Sequence, residues 1–207
     1  MAETLEEIRR NARRCRDCPL WANATQTVFG AGDPHARVML VGEQPGDEED
    51  KKGLPFIGPA GRLLDRALEA AGVKREGLYV TNAVKHFKWQ LRGKRRLHKT
   101  PAQREIDACH QWLEREVAAI GPEVIVCLGA TAARAVISRD FKVSLMRGRF
   151  VKSALAPHVF ATLHPSALLR LRDDEEKERA FEQFVKDLKL INKALEIGVR
   201  ARFPGRH

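Results

Sequence analysis

At 207 residues with 43% hydrophobic content, the chain can bury a full core, which excludes a mostly disordered polymer and fits one domain over residues 1–207. Its 37 Lys and Arg against 27 Asp and Glu leave a net charge of +10, which favours a polyanionic partner over an acidic small molecule. No apolar run approaches the roughly 18 residues that cross a bilayer, so no membrane partner is expected, and the charged start MAETLEEIRRNARR lacks the apolar segment of a secretory signal, so a cytoplasmic location with reduced cysteines is expected.

Leu5, Ile8 and Ala12 recur at helical spacing and predict a helix over 3–14 that runs into Cys15. RVMLV at 37–41 reads as a buried strand stopped by Gly42. Pro59 can open a helix whose Leu63, Leu64, Ala67, Leu68 and Ala71 share a face, with Gly72 as its stop. LYVTNAV at 78–84 is a second strand. The stretch that follows, KHFKWQLRGKRRLHK at 85–99, holds seven Lys or Arg, two His, two aromatics and no acid. Burying it would carry a large desolvation cost, so it is expected to be a surface loop, inserted at 88–100, that faces an anion such as a nucleic acid backbone.

After Pro101, Ile106, Cys109, Leu113 and Val117 mark the inner face of a helix ended by Gly121 and Pro122. VIVCL at 124–128 is a third buried strand and leads into a short Ala-rich helix. Residues 148–152 read as an edge strand, and VFATL at 159–163 as a fourth core strand ending at His164. Phe181, Phe184, Val185, Leu188, Ile191 and Leu195 mark one long closing helix, and the tail at 200–207 is expected to fray. Strands separated by helical patterns imply right-handed crossovers. The fold class is therefore α/β, a three-layer α/β/α sandwich around a mostly parallel four-stranded sheet. Ligands of such sheets sit beyond the carboxyl ends of the strands, where 42–45, 82–86 and 164–166 all fall.

Three constellations carry chemistry. Cys15 and Cys18 form a Cx2C pair with Cys109 and Cys127 far along the chain, a spacing that suits zinc or an iron–sulfur cluster, unless Cys109 and Cys127 are small core residues. The turn Gly42-Glu43-Gln44-Pro45-Gly46-Asp47 brings two carboxylates and an amide to a strand end, where Glu43 could orient a nucleophile or act as a base. His164-Pro165-Ser166 sets an imidazole over the same rim. On composition alone, His164 could be structural, Phe56 ordinary core, and His98 a loop histidine that binds phosphate.

The motifs Cx2C (15–18), GEQPGDEED (42–50), LPFIGPAGRLLD (54–65), YVTNAVKH (79–86) and LHPS (163–166), in that order, resemble the iron–sulfur uracil-DNA glycosylases over residues 15–184. Gln44, where ordinary members carry Ala, and the GKRRLH insertion resemble the UdgX subgroup, which excises uracil and stays covalently attached to the DNA. Leu97 stands where a UdgX loop often has Ile. The resemblance implies a structural [4Fe–4S] cluster on Cys15, Cys18, Cys109 and Cys127, remote from the reaction.

It also implies that Phe56 stacks on a flipped uracil and that Asn82 reads its edge, with Gly42 and Ser166 lining the same pocket. An amide donates to uracil O4 and accepts from N3–H, whereas cytosine presents the opposite pattern. His164 stabilises the leaving uracil, and His98 attacks C1′ while Glu43 orients or deprotonates it. Gln44 and Asp47 position the loop or the leaving base, and Lys94, Arg95 and Arg96 contact phosphates or anchor the loop. The expected partner is uracil-containing DNA, single strand favoured, with free uracil as product. The chain is expected to act as a monomer, at the nucleoid when bound to DNA. Two rival readings are an ordinary turnover glycosylase whose loop only grips DNA, and a non-catalytic, zinc-bound nucleic acid module.

Overall fold

The computed structural model describes residues 3–202, with side chains as far as residue 197. Helix α1 (Leu5–Ala12) is set by a reciprocal cap, in which Thr4 Oγ1 accepts from the Glu7 N–H and the Glu7 carboxylate accepts from the Thr4 N–H. A two-residue strand β1 (Ala31–Gly32), then β2 (Val38–Gly42), α2 (Asp47–Lys52), α3 (Pro59–Ala70) and β3 (Leu78–Asn82) follow. A hairpin of β4 (Trp89–Arg92) and β5 (Arg95–His98) precedes α4 (Gln103–Ile120), β6 (Val124–Leu128), α5 (Ala130–Val136) and α6 (Val143–Met146). The chain closes through β7 (Phe150–Val151), β8 (His158–Thr162), α7 (Pro165–Leu169), α8 (Asp174–Leu188) and α9 (Leu190–Arg202).

The expected four core strands, β3-β2-β6-β8, are adjacent and parallel. The sheet nevertheless has six strands, because β1 and β7 add two-residue antiparallel edges at its two sides. Pairings so short carry no periodicity to read. The apolar strands are buried on both faces, as a parallel sheet requires. One face (Leu40, Val80, Val126, Leu128, Phe160) packs on α3, α8 and α9 through Leu64, Leu68, Phe184, Leu188 and Ile191. The other (Met39, Val41, Tyr79, Ile125, Val159) packs on α4 and α5 through Leu113, Val117, Ala132 and Ala133. A third cluster, with Ile8, Ala12, Phe29, Ile106 and Trp112, holds α1 against α4.

Two expectations need correction. The long closing helix is two helices that meet at Lys189, and because Phe184, Leu188, Ile191 and Ala194 all face one core, the apolar stripe runs through the break unmarked. The basic segment is not an irregular surface loop: Lys85, His86 and Phe87 are buried, and the rest is a hairpin in register Trp89↔His98, Gln90↔Leu97, Leu91↔Arg96 and Arg92↔Arg95. Its two-residue turn opens on Gly93 at φ +61°, the glycine-first pattern of hairpin turns that match strand twist. The expectation of a frayed tail falls, from residue 203 on, outside the described residues. Among the described residues no helix is long and apolar enough to cross a membrane.

Candidate active site

The four parallel strands end at Gly42, Asn82, Leu128 and Thr162, and the residues after them line one cleft of about 760 Å³. Glu43, Gln44, Asp47, Phe56, Asn82, His98, His164 and Ser166 all line it. Phe56 is the one non-glycine residue at positive φ (55°) among those described, a strained conformation that tips its ring to the strand ends, 6.1 Å from the His164 ring. Gly42 lets it in: a Cβ there would lie 2.4 Å from Asn82 Oδ1 and 2.5 Å from the Phe56 ring. Asn82 is 2% exposed, and its Oδ1 is buried without a hydrogen-bond partner. A buried orphan acceptor lining a cleft is a demand for a ligand donor.

His164 sits at the N-cap of α7, where the Ser166 N–H donates to Nδ1 at 3.2 Å. A backbone N–H can only donate, so Nδ1 carries a lone pair and the proton of the neutral ring is on Nε2. Burial pushes the His164 pKa down to about 4, with Glu43 opposing and His98 assisting. The ring is neutral at ordinary pH and offers one N–H.

Opposite it, His98 Nε2 lies 3.1 Å from Glu43 Oε1, while Glu43 Oε2 accepts from the Thr131 hydroxyl. Burial raises the Glu43 pKa, but the hydrogen bonds from His98 and Thr131, with the electrostatic influence of the nearby imidazoles, outweigh it and hold the carboxyl below its ordinary range.

The hairpin that carries His98 is clamped from beneath. Gln44 is 7% exposed and uses its whole amide on the hairpin's two ends: Nε2 donates to the Lys88 and Lys99 carbonyls at 3.2 and 3.0 Å, and Oε1 accepts from the Lys88 N–H at 3.0 Å. An alanine could make none of these bonds. Arg96 donates to Asp47 at 2.5 Å and to the fully buried Asp50 at 2.7 Å, and its guanidinium lies over the Phe87 and Trp89 rings. Of the three cations expected to contact phosphates or anchor the loop, Arg96 is thus the internal anchor, and Lys94 and Arg95 are left exposed. The Trp89 indole donates to the Asn23 carbonyl, and Lys88 pairs with Glu105.

Asp50 and Thr131 escaped the sequence reading, though both left signals. Asp50 lies three residues after Asp47, on the same face of α2. Thr131 follows the end of the third core strand, the one strand end not counted at the rim.

The structure gathers three of the four cysteines. Cys15, Cys18 and Cys109 pack in the α1/α4 cluster, where the Trp112 indole donates to Cys15 Sγ and the Lys85 N–H to Cys109 Sγ, each at 3.2 Å. Burial raises all three thiols, Cys109 up to about 12, and the neighbouring Cys15 and Cys18 add to that rise. Cys127 is not with them. It sits mid-sheet between Val41 and Ala161 in the other helix-covered core layer, its thiol raised by burial alone. Among the described residues no group of three or more His, Cys, Asp or Glu is arranged to hold a metal ion. The donors therefore suit an iron–sulfur cluster in kind, with N–H groups turned to two sulfurs, but the expected four-cysteine set does not fit.

Residues 29–189 match the family described as the uracil DNA glycosylase superfamily. The chain is 36% identical over 192 residues to the type-4 uracil-DNA glycosylase of Thermotoga maritima, an alignment covering 92% of this chain and 96% of that protein. It is 36% identical over 186 residues to the type-4 enzyme of Archaeoglobus fulgidus, covering 85% and 90%. Similarity extends to the type-5 uracil-DNA glycosylase of Thermus thermophilus, at 32% over 149 residues, covering 64% and 63%.

Proposed function

The chain belongs to the uracil-DNA glycosylase superfamily, and from that premise we propose that it excises uracil from DNA, single strand favoured, and then bonds His98 to C1′ of the abasic sugar. The observation that carries the second step is the His98–Glu43 contact of 3.1 Å at the mouth of a cleft that also holds Phe56, Asn82 and His164.

A flipped uracil stacks on Phe56 and gives its N3–H to the orphan Asn82 Oδ1. Breaking the C1′–N1 bond sends its electron pair to uracil and leaves positive charge on the sugar. The Nε2–H of neutral His164 donates to uracil O2, where negative charge grows, and the Glu43 carboxylate lies on the side of the cation. A lone pair of the His98 imidazole then forms the new bond to C1′. The alkylated ring would carry one positive charge, which the proton on its other nitrogen removes by passing to Glu43 and on to solvent or uracil.

In an ordinary glycosylase water takes that place. Positioned groups reach effective molarities of about 10⁵ M or more. The Gln44 clamp and the Arg96 anchor supply the positioning, so the imidazole outcompetes water. Lys94 and Arg95 are free to meet phosphates, which should make binding fall steeply with salt.

Incubation with a uracil-containing single strand should release uracil and yield a species, stable to denaturation, whose mass equals protein plus the uracil-containing strand minus one uracil. Repeated turnover with no such species would identify an ordinary glycosylase. Absence of free uracil would overturn the enzyme reading as well.

A [4Fe–4S] cluster, in this proposal, would take Cys15, Cys18 and Cys109, which pack in one core cluster, as three of its four ligands and would tie the N-terminal segment to α4, away from the cleft. It supplies no step of the reaction. Cys109→Ser should abolish the visible absorbance of the cluster and destabilise the protein, whereas Cys127→Ala should keep the absorbance and cost only core packing. Loss of colour in Cys127→Ala would restore Cys127 as a ligand.

A further inference from the structure

Glu43 is expected to act on one nucleophile through one oxygen, yet a carboxylate free to rotate would present either oxygen to His98 or turn both to water. The chain prevents this from a neighbouring strand end. β2 and β6 are paired in parallel with Val41 beside Cys127, so Glu43, two residues on, and Thr131, four residues on, leave the sheet side by side. Gly129, at φ +90°, turns the chain sharply out of β6, and its missing Cβ avoids the His164 side chain, which would lie 2.8 Å away. Thr131 is 2% exposed in the first turn of α5. Its hydroxyl meets Glu43 Oε2, and because an ionised carboxylate only accepts, the hydroxyl is the donor. Each oxygen of Glu43 therefore has one assigned partner, Thr131 for Oε2 and His98 for Oε1.

We infer that Thr131 is a positioning residue for the covalent step, fixing the Glu43 carboxylate so that Oε1 holds the His98 ring toward C1′. The inference rests on the proposed His98 adduct and deepens it. The titratable groups facing Glu43 are the imidazoles of His98, from β5, and His164, after β8. Thr131 contributes no charge and acts by direction and by hydrogen bonding to the ionised form.

Thr131→Val keeps the shape and removes the donor, and Thr131→Ser keeps the donor. With a uracil-containing single strand in excess, adduct formation by Thr131→Val should slow about 10- to 100-fold, the range a hydrogen bond to a charged group is worth, and uracil release should fall less. Losing a bond that favours the carboxylate raises the pH at which Glu43 protonates, so the acid limb of adduct formation should move to higher pH in Thr131→Val and return in Thr131→Ser. A purely structural role would slow both steps together and leave that limb in place. Equal rates and an unmoved limb in Thr131→Val, with a parent protein that does form the adduct, would overturn the inference alone. A parent that forms no adduct would overturn the reading beneath it.

Discussion

Replacing His98 by alanine should abolish the DNA-linked species while uracil continues to be released within about tenfold of the parent rate. The groups proposed to touch the base, Asn82 and His164 from the sheet rim and Phe56 from the loop before α3, do not depend on the hairpin side chain, so departure of uracil remains assisted. Only the bond to C1′ loses its donor, and water takes the cation instead. The variant should therefore turn over repeatedly where the parent stops after one event per molecule. It also isolates the pH dependence of His164. A histidine with its pKa lowered to about 4 takes up a proton only below that value, so uracil release by His98→Ala should show no histidine limb between about pH 5.5 and 8. Denaturing electrophoresis and a uracil-release assay read both outcomes. An undiminished covalent species in His98→Ala would sink the nucleophile assignment.

The strands and three quarters of the rim were legible because a buried parallel strand is a short run of β-branched and aliphatic residues, and three of the four runs carry Gly42, Asn82 or His164 at their ends, where a ligand site belongs. The hairpin was not. Trp89, Leu91, Arg96 and His98 share one face of it, but the alternation is carried by cations and aromatics rather than by apolar and polar residues, so it reads as a solvated charge run. Which of the three cations anchors the hairpin was hidden for a related reason: nothing local shows that Asp47 and Asp50 meet Arg96 rather than Lys94 or Arg95. Cys127 illustrates the reverse limit. Cysteine count and spacing suggest a ligand set, while strand alternation assigns Cys127 to a core layer that does not include Cys15 and Cys18, and only the tertiary structure says which consideration governs.

Lys85→Met should lower stability by about 3–5 kcal/mol, the cost of leaving a buried charge without its partner. For a chain of this size that corresponds to a fall in Tm of very roughly 6–20 °C. Lys85 is 1% exposed and Glu116 is fully buried, and the two form an ion pair beneath the rim. Glu116 also accepts from the Tyr79 hydroxyl, the Thr81 hydroxyl and the Gly30 N–H, and the Lys85 ammonium donates to the Asn82 carbonyl at 2.7 Å. That last bond ties stability to function, since it fixes the main chain of the residue whose amide faces the cleft. The lesion should therefore also weaken discrimination of uracil from cytosine, measurable as excision from matched single strands. Adding Glu116→Gln to Lys85→Met removes the stranded charge and should restore part of the lost Tm without restoring the bond to Asn82. Stability and base discrimination would then separate in the double variant. If the single substitution shifts Tm by less than about 2 °C, the pair is not the buried strut the geometry describes.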